Sequence, residues 1–402
     1  MKEIFNISNK DWVTCSLMEL CEKKNGIQTG PFGSQLHQRD YVDEGTPIIT
    51  VQHMGESRIV HDDDIPKVTD EDKNRLSKFL LRKGDIVLSR VGSVDRTNLV
   101  TDDEDNWLFS GRCIRVRPDK NKIDSKYLSL YLRHPRVKKY LRAFAVGATM
   151  PSLNTKIIQK IPITFPKDKQ RIKDVCNILF ALDEKINLNL RTTGIFEETA
   201  KLLFKSWFID FDPVRAKAEG RSTGLSKDIS DLFTDSFVDS ELGKIPKGWT
   251  IKKVGDLMEF VYGEALTANK RIPGEMPVYG SNGIVGYHNV ENSHGPGIIV
   301  GRAGNPGTVH WCDSNFFVID SAFSVKVFDE AKDNFYFYAL KQLKLPRLNS
   351  GSAIPGLNRN HAYKERITVP DYELLNKFNE YSEVVFKRNA SVLTENKYIS
   401  QL

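Results

Sequence analysis

The sequence predicts an α+β protein made of two mixed α/β units, each running into a long helix, the two helices pairing antiparallel and the units forming a pseudo-twofold internal repeat. The first observation is a duplicated phrase. GATMPSLNTKIIQKIPITFP (147–166) returns as GSAIPGLNRNHAYKERITVP (351–370), agreeing at Gly147/Gly351, Pro151/Pro355, Leu153/Leu357, Asn154/Asn358, Lys160/Lys364, Ile163/Ile367, Thr164/Thr368 and Pro166/Pro370, a constant offset of 204 residues. The second is that, after each copy, apolar residues fall at alternating gaps of three and four, the seam of a packed helix. The third is that short β-branched or aromatic runs broken by Gly, Pro, Asn and Asp precede each copy and read as strands and turns.

A chain of 402 residues exceeds one ordinary core. The expected division is a first unit over 1–166, a central helix over 167–211, a linker over 212–248, a second unit over 249–370 and a distal helix over 371–402. The repeat extends upstream with looser spacing. GDIVLSRVGS (84–93) faces GPGIIVGRAGN (295–305), so Arg90 and Gly92 align with Arg302 and Gly304, and Trp12 and Pro47 pair with Trp249 and Pro277. From Trp to the last Pro of the phrase the first copy spans 33 residues more than the second, so loops differ in length.

Strands are expected in TPIITVQHM, DIVLSRVG, PVYGSNGIVGYHNV and GIIVGRAG, and helices in SKYLSLYLRHPRVKKYLRAFA and DNFYFYALKQLKLPRL. The seam of the first long helix reads Ile172, Val175, Leu179, Leu182 and Ile186, then polar Asn189 and Thr193, then Phe196, Ala200, Leu203 and Trp207. The second reads Leu374, Phe378, Tyr381 and Val385, a polar Arg388, then Val392 and Ile399. Helices over 168–211 and 371–402 are roughly 65 and 48 Å long. Such helices gain most of their stability from a packed face; each is the other's natural partner, the alternative being that each packs on its own unit. The stretch from Asp212 to Trp249 reads as a polar connection rich in charge.

Composition is that of a folded protein, 40% hydrophobic and 27% charged. No apolar run approaches membrane length and MKEIFNISNKDW lacks a signal-peptide pattern, so a cytoplasmic location is expected. The five cysteines (Cys15, Cys21, Cys113, Cys176, Cys312) have no metal or redox spacing and read as reduced structural thiols. A net charge of +6 permits a polyanionic partner without requiring one.

Signs of catalysis are missing. There is no G-x-x-x-x-G-K-S/T, H-E-x-x-H or strand-borne G-x-G-x-x-G, and no Asn/Asp-Pro-Pro-aromatic tetrapeptide of amino-methyltransferases. The acidic runs DDDIP and TDDEDNW read as solvated loops, and the eight histidines have no ligand spacing, so no metal is expected. Duplex recognition is better supplied: it needs cations for phosphates and forked or amide donors for base edges. Turns of the first unit offer Ser34, Gln35, His37, Arg39, Gln52, His53, Arg90, Ser93, Arg96 and Arg112. Those of the second offer Arg271, Ser281, Asn282, Tyr287, His288, Arg302, Asn305, Arg359 and His361. For Arg90 and Arg302 two readings stand, phosphate contact or hydrogen bonding of loop carbonyls, and Asn154 and Asn358 read as caps. A two-domain enzyme with an interdomain site and a protein-only adaptor are the alternatives from other classes.

Across nearly its whole length the chain resembles the DNA specificity subunits of type I restriction-modification systems. The resemblance rests on GIQTGPFGS (26–34), on the two P-x-L-N phrases ending in I-T-x-P, on DKQRIKDVCNILFALDEKINLNLRTTGIFEETAKLLFKSWFIDFDPV (168–214) and on LSKDISDLFTDSFVDSELGKIPKGW (225–249). It implies that each unit is a target-recognition domain for one part of a bipartite, asymmetric double-stranded DNA sequence, and that the helices form a spacer. It also implies a chain that is not itself catalytic. Two modification (methyltransferase) subunits would bring S-adenosylmethionine, and two restriction (motor-nuclease) subunits would bring ATP and Mg. One departure is the shorter distal helix, which at Leu402 reaches only the equivalent of Glu198.

Overall fold

The computed structural model describes residues 10–147, 151–328, 333–348 and 356–400; Gly351 and Pro355 of the second phrase, and Leu402, lie outside them. The chain divides into two compact units, 1–185 and 186–402.

The first unit contains β1 (Trp12–Ser16), β2 (Ile27–Thr29), β3 (Thr46–Ile49), β4 (Lys67–Val68), β5 (Ile86–Ser89), β6 (Thr97–Leu99), β7 (Leu108–Phe109), β8 (Cys113–Val116) and β9 (Pro162–Pro166). They form a four-stranded sheet, order β2-β8-β5-β6, a three-stranded sheet, order β4-β3-β7, and a ribbon of β1 with β9. Side chains alternate across a strand. Ile86 and Leu88 of β5 therefore enter one core with Ile114, Leu128 and Leu153, and Val87 enters another with Ile48, Phe79 and Phe109.

The second unit contains β10 (Phe237–Ser240), β11 (Gly243–Pro246), β12 (Thr250–Lys253), β13 (Met258–Tyr262), β14 (Met276–Gly280), β15 (Gly283–His288), β16 (Gly297–Gly301), β17 (Val309–Cys312), β18 (Phe317–Val318), β19 (Ala322–Val327) and β20 (Arg366–Val369). Its sheets have orders β13-β19-β16-β17 and β15-β14-β18, its ribbon pairs β12 with β20, and β10–β11 is a separate hairpin. The topology repeats strand for strand. In each three-stranded sheet the central strand pairs parallel with one edge strand, β3 with β7 and β14 with β18, and antiparallel with the other. Alternation recurs too, since Ile298 and Val300 face the main core while Ile299 faces a small one with Tyr279 and Phe316.

The repeated phrase does the same local work twice. Leu153 N–H donates to Arg90 O at 2.9 Å and Leu357 N–H to Arg302 O at 2.7 Å. Asn154 Oδ1 accepts from Ile157 N–H, and Asn358 Oδ1 from Asn360 and His361 N–H, capping short helices. The I-T-x-P ending then pairs with the unit's first strand, Thr14 opposite Thr164 and Lys252 opposite Ile367, before the chain enters its long helix.

Those helices span Lys169–Phe208 and Tyr372–Ile399. Inside the second unit Asn189 Nδ2 donates to Glu395 Oε2 (2.9 Å) and Asn396 Oδ1 (2.8 Å), and Asn389 Nδ2 donates to Glu197 Oε1 (3.2 Å). Further along, Phe204 lies 5.6 Å from Phe378. Residue numbers rise on one helix as they fall on the other, so these stretches run in opposite directions.

Three expectations are corrected. Val175, Phe196 and Tyr381 of the expected seam are exposed, while Cys176, Phe204, Leu375, Ser382, Asn389 and Asn396, outside it, are buried; Ala200 is buried as expected. At Tyr381 and Arg388 the buried position is the next residue, Ser382 and Asn389, because these polar residues fill buried places that an apolar pattern passes over. The polar connection is folded: Val214 on its helix Asp212–Ala218, Ile229 on the short helix Lys227–Ser230, Phe233 just after it and Ile245 on the β10–β11 hairpin are all buried, and Phe211 is held left-handed (φ 57°) against Phe237 and Trp249. The expected helix over 125–145 breaks into Ser125–Arg133 and Pro135–Phe144, since Pro135 has no N–H to continue it and suits the first turn of the next.

Phe204 and Phe378 anchor the second unit, with Phe208 and Tyr338 within 6 Å of both and Phe335 within 6 Å of Phe204 and Phe208. Phe378→Ala is expected to destabilise that unit by about 3–5 kcal/mol, whereas Asn154→Ala costs the first unit about 1 kcal/mol. Denaturant midpoints followed by tryptophan fluorescence measure both.

Candidate nucleic-acid interface

In the first unit, β5 delivers Arg90 to a point where three loops meet. Arg90 N–H donates to Arg112 O, its Nε to Leu153 O at 2.9 Å and its Nη1 to Gly111 O at 3.2 Å. Two residues on, Gly92 takes φ +82°, where its N–H reaches Pro151 O. Gly111 packs so closely on Phe32 that a Cβ would sit 2.7 Å from the Phe32 Cβ, which brings in the loop carrying Ser34 and Gln35. Arg90, Arg112, Ser93 and the 32–35 turn therefore share one end of the sheet, with Arg112, Ser93 and Phe32 exposed.

Arg96 lies beside this cluster, its backbone joined to Ser89 and its Nη1 donating to Val51 O and Met54 O. Gln52 is exposed on that turn. His53 points inward, 3% exposed, its Nδ1 at 2.9 Å from Thr50 Oγ1. His37 and Arg39 occupy a separate exposed turn in which Arg39 faces Asp40.

The second unit builds its counterpart on Arg302. Its N–H donates to Ser321 O and its Nε to Asp320 O at 2.6 Å, and its guanidinium lies 5.6 Å from the Tyr262 ring. Arg359 donates to Phe260 O and covers the same ring at 4.9 Å. Tyr262 is thus an exposed aromatic shelf beside two cations. His361 is exposed on the same short helix as Arg359. A second cluster joins Asn305, which donates to Asn282 Oδ1, and Ser281, whose carbonyl accepts from Thr308 Oγ1 at 2.5 Å. Arg271 Nη1 donates to Val285 O beside exposed Tyr287. Ser281 and His288 are buried, His288 against Ile272 and Phe317. Among the described residues no group of three His, Cys, Asp or Glu side chains is placed to hold a metal, and no helix is long and apolar enough to cross a membrane.

Both units therefore present exposed cationic and amide groups on loops set by a rigid sheet end, the arrangement that recognition loops require. The model of the type I restriction modification DNA specificity domain matches residues 9–193 and 246–374, well over half of the sequence. The chain belongs to this family of type I restriction-modification specificity subunits. It is 24% identical to the type I restriction enzyme HindI specificity subunit of Haemophilus influenzae, over 81% of this chain and 85% of that one. It is also 24% identical to the MjaIX specificity subunit of Methanocaldococcus jannaschii over 51% of this chain and 44% of that one. The fold matches the crystal structure of the type I system S subunit from M. genitalium, with TM-score 0.61 and 16% identity, covering 99% of this chain and 95% of that one.

Within this specificity-subunit fold, the arginines that close loops differ from those that project. Arg90, Arg96, Arg302 and Arg359 each bond backbone carbonyls, so the loop-fixing role holds for Arg90 and Arg302. Tyr262 and Phe32 were not among the candidates, although alternation in MEFVY and a Phe between turn-forming residues in GPFGS put an aromatic outward at each place. Arg90→Ala is expected to destabilise the first unit by about 1–3 kcal/mol by leaving two carbonyls unpaired. Arg112→Ala, at an exposed position, changes stability by less than about 0.5 kcal/mol; thermal melts of the two variants test this contrast.

Proposed function

We propose that this chain is the sequence-reading, non-catalytic member of a type I restriction-modification complex, with one unit reading each half of a bipartite, asymmetric DNA target. The repetition of one topology around loops of different length and composition carries this reading. A shared scaffold supplies two readers, and unlike loops supply two different half-sites. The helices Lys169–Phe208 and Tyr372–Ile399 form the antiparallel spacer, and their length sets the number of unspecified base pairs between half-sites. Two methyltransferase subunits with S-adenosylmethionine and two motor-nuclease subunits with ATP and Mg assemble on it. The relatives' specificity-subunit names support these roles.

Among the candidate contacts, His37, Arg39, Gln52, Ser93, Arg112, Asn282, Tyr287, Asn305 and His361 are exposed and placed to meet DNA, while Arg90 and Arg302 hold the loops that present them. Arg112→Ala then weakens binding and lowers the salt slope by about 1 if it meets a phosphate.

Exchange of residues 12–150 for the same segment of a relative is expected to change one half of the methylated sequence and preserve the other. Methylation mapping of plasmid DNA by the chain with its methyltransferase partner reads this; a change in both halves refutes independent readers. Inserting four residues, about one helical turn, into the first long helix alters the tolerated spacing and leaves both half-sites intact in the same assay.

A further inference from the structure

The four-stranded sheet of the first unit carries a second cluster of arginines away from Arg90 and Arg112. Arg112 and Arg117 flank β8 at its two ends, five residues and roughly 17 Å apart at an extended rise. At the Arg117 end a cavity of about 400 Å³ is lined by Arg115 and Arg117, by Lys24, Lys78 and Arg82, and by one carboxylate, Glu22.

The two buried arginines differ in their partners. Arg117 is neutralised by Asp85, its Nε and Nη2 donating to the two carboxylate oxygens at 2.7 and 2.6 Å. Arg115 is 1% exposed and has no carboxylate partner among the described residues. Its Nη1 donates to Lys78 O and Leu80 O, and its Nη2 to Asn25 O and Gln28 Oε1. Its Nε–H is buried with no acceptor. Burial, with Arg117 adding to it, pushes the guanidinium down to about 10. Lys24, Lys78 and Arg82 are exposed and unpaired with carboxylates among the described residues.

A buried cation with an idle donor is costly unless something neutralises it. The complement is a compact anion with several acceptor oxygens, which gains charge-assisted hydrogen bonds from guanidinium and ammonium groups. We propose that this cavity is an anion site for a phosphate group, with Arg115 at its base and Lys24, Lys78 and Arg82 around its mouth. The phosphate belongs either to a free phosphorylated small molecule or to a nucleic-acid backbone.

Isothermal titration of the full chain with inorganic phosphate and pyrophosphate at fixed ionic strength tests the site. The wild type is expected to show saturable binding, weakened at least tenfold in the exposed-rim variant Lys24→Ala/Lys78→Ala/Arg82→Ala, whose circular dichroism and melting temperature match the wild type. No saturable binding, or equal binding by the variant, overturns the proposal. Repeating the titration with duplex DNA separates the two sources. Displacement of phosphate by DNA, with weaker DNA binding by the variant, marks a backbone site; unchanged phosphate binding marks a free ligand.

Discussion

Each unit depends on the pairing of its first strand with its last. β1 meets β9 from Trp12/Pro166 to Ser16/Pro162, and β12 meets β20 from Thr250/Val369 to Lys253/Arg366. The chain therefore leaves each unit beside its point of entry, and everything between is a closed excursion from one ribbon. Loop-closure entropy grows slowly with length, so an excursion longer by 33 residues in the first copy is tolerated while the closure stays fixed. The helix that follows each ribbon starts from a hydrogen-bonded strand, which gives it a defined direction. Stable closure and variable loops are therefore compatible in one chain, the physical condition for changing what is bound without refolding the scaffold.

The closure was legible in the sequence because it needs particular residues. Leu153 and Leu357 must be apolar to be buried beneath the loop end, Asn154 and Asn358 must accept from the next turn, and Ile163 and Ile367 must face the core. Such local requirements leave the same letters at a fixed offset. The folded linker was hidden because Val214, Ile229, Phe233 and Ile245 are separated by charged residues and gain meaning only from the core they enter. The Arg90 and Arg302 roles stayed open for a related reason: a strand-end arginine looks alike whether it bonds carbonyls or projects, and only the positions of Gly111, Leu153 and Asp320 decide. His53, Ser281 and His288 show the converse, polar residues on turns that satisfy neighbours inward.

Strand alternation governs polar groups as well. On β8, Ile114 and Val116 face one core, leaving Cys113 and Arg115 to the opposite side. Cys113 fits the small core there, whereas Arg115 must find acceptors among loop carbonyls. The guanidinium thereby joins the 25, 78 and 80 positions of two loops, and the same geometry that braces them concentrates positive charge in the cavity they enclose.

Helix register is the remaining constraint, and polar seam residues define it. Asn189 against Glu395 and Asn396, and Asn389 against Glu197, are buried at the cost of desolvation, which apolar residues of similar size would avoid. Their return is specificity. Sliding the second helix by seven residues so that Asn396 moves from Asn189 to Phe196 would strand its amide against a ring, and Asn389 would leave Glu197 for Phe204. Each misplaced buried amide costs about 1–3 kcal/mol, so the alternative register is disfavoured by several kcal/mol although its apolar contacts are similar. A helix pair keeps a fixed length only if it does not slide, and a purely apolar seam would permit slippage at each heptad.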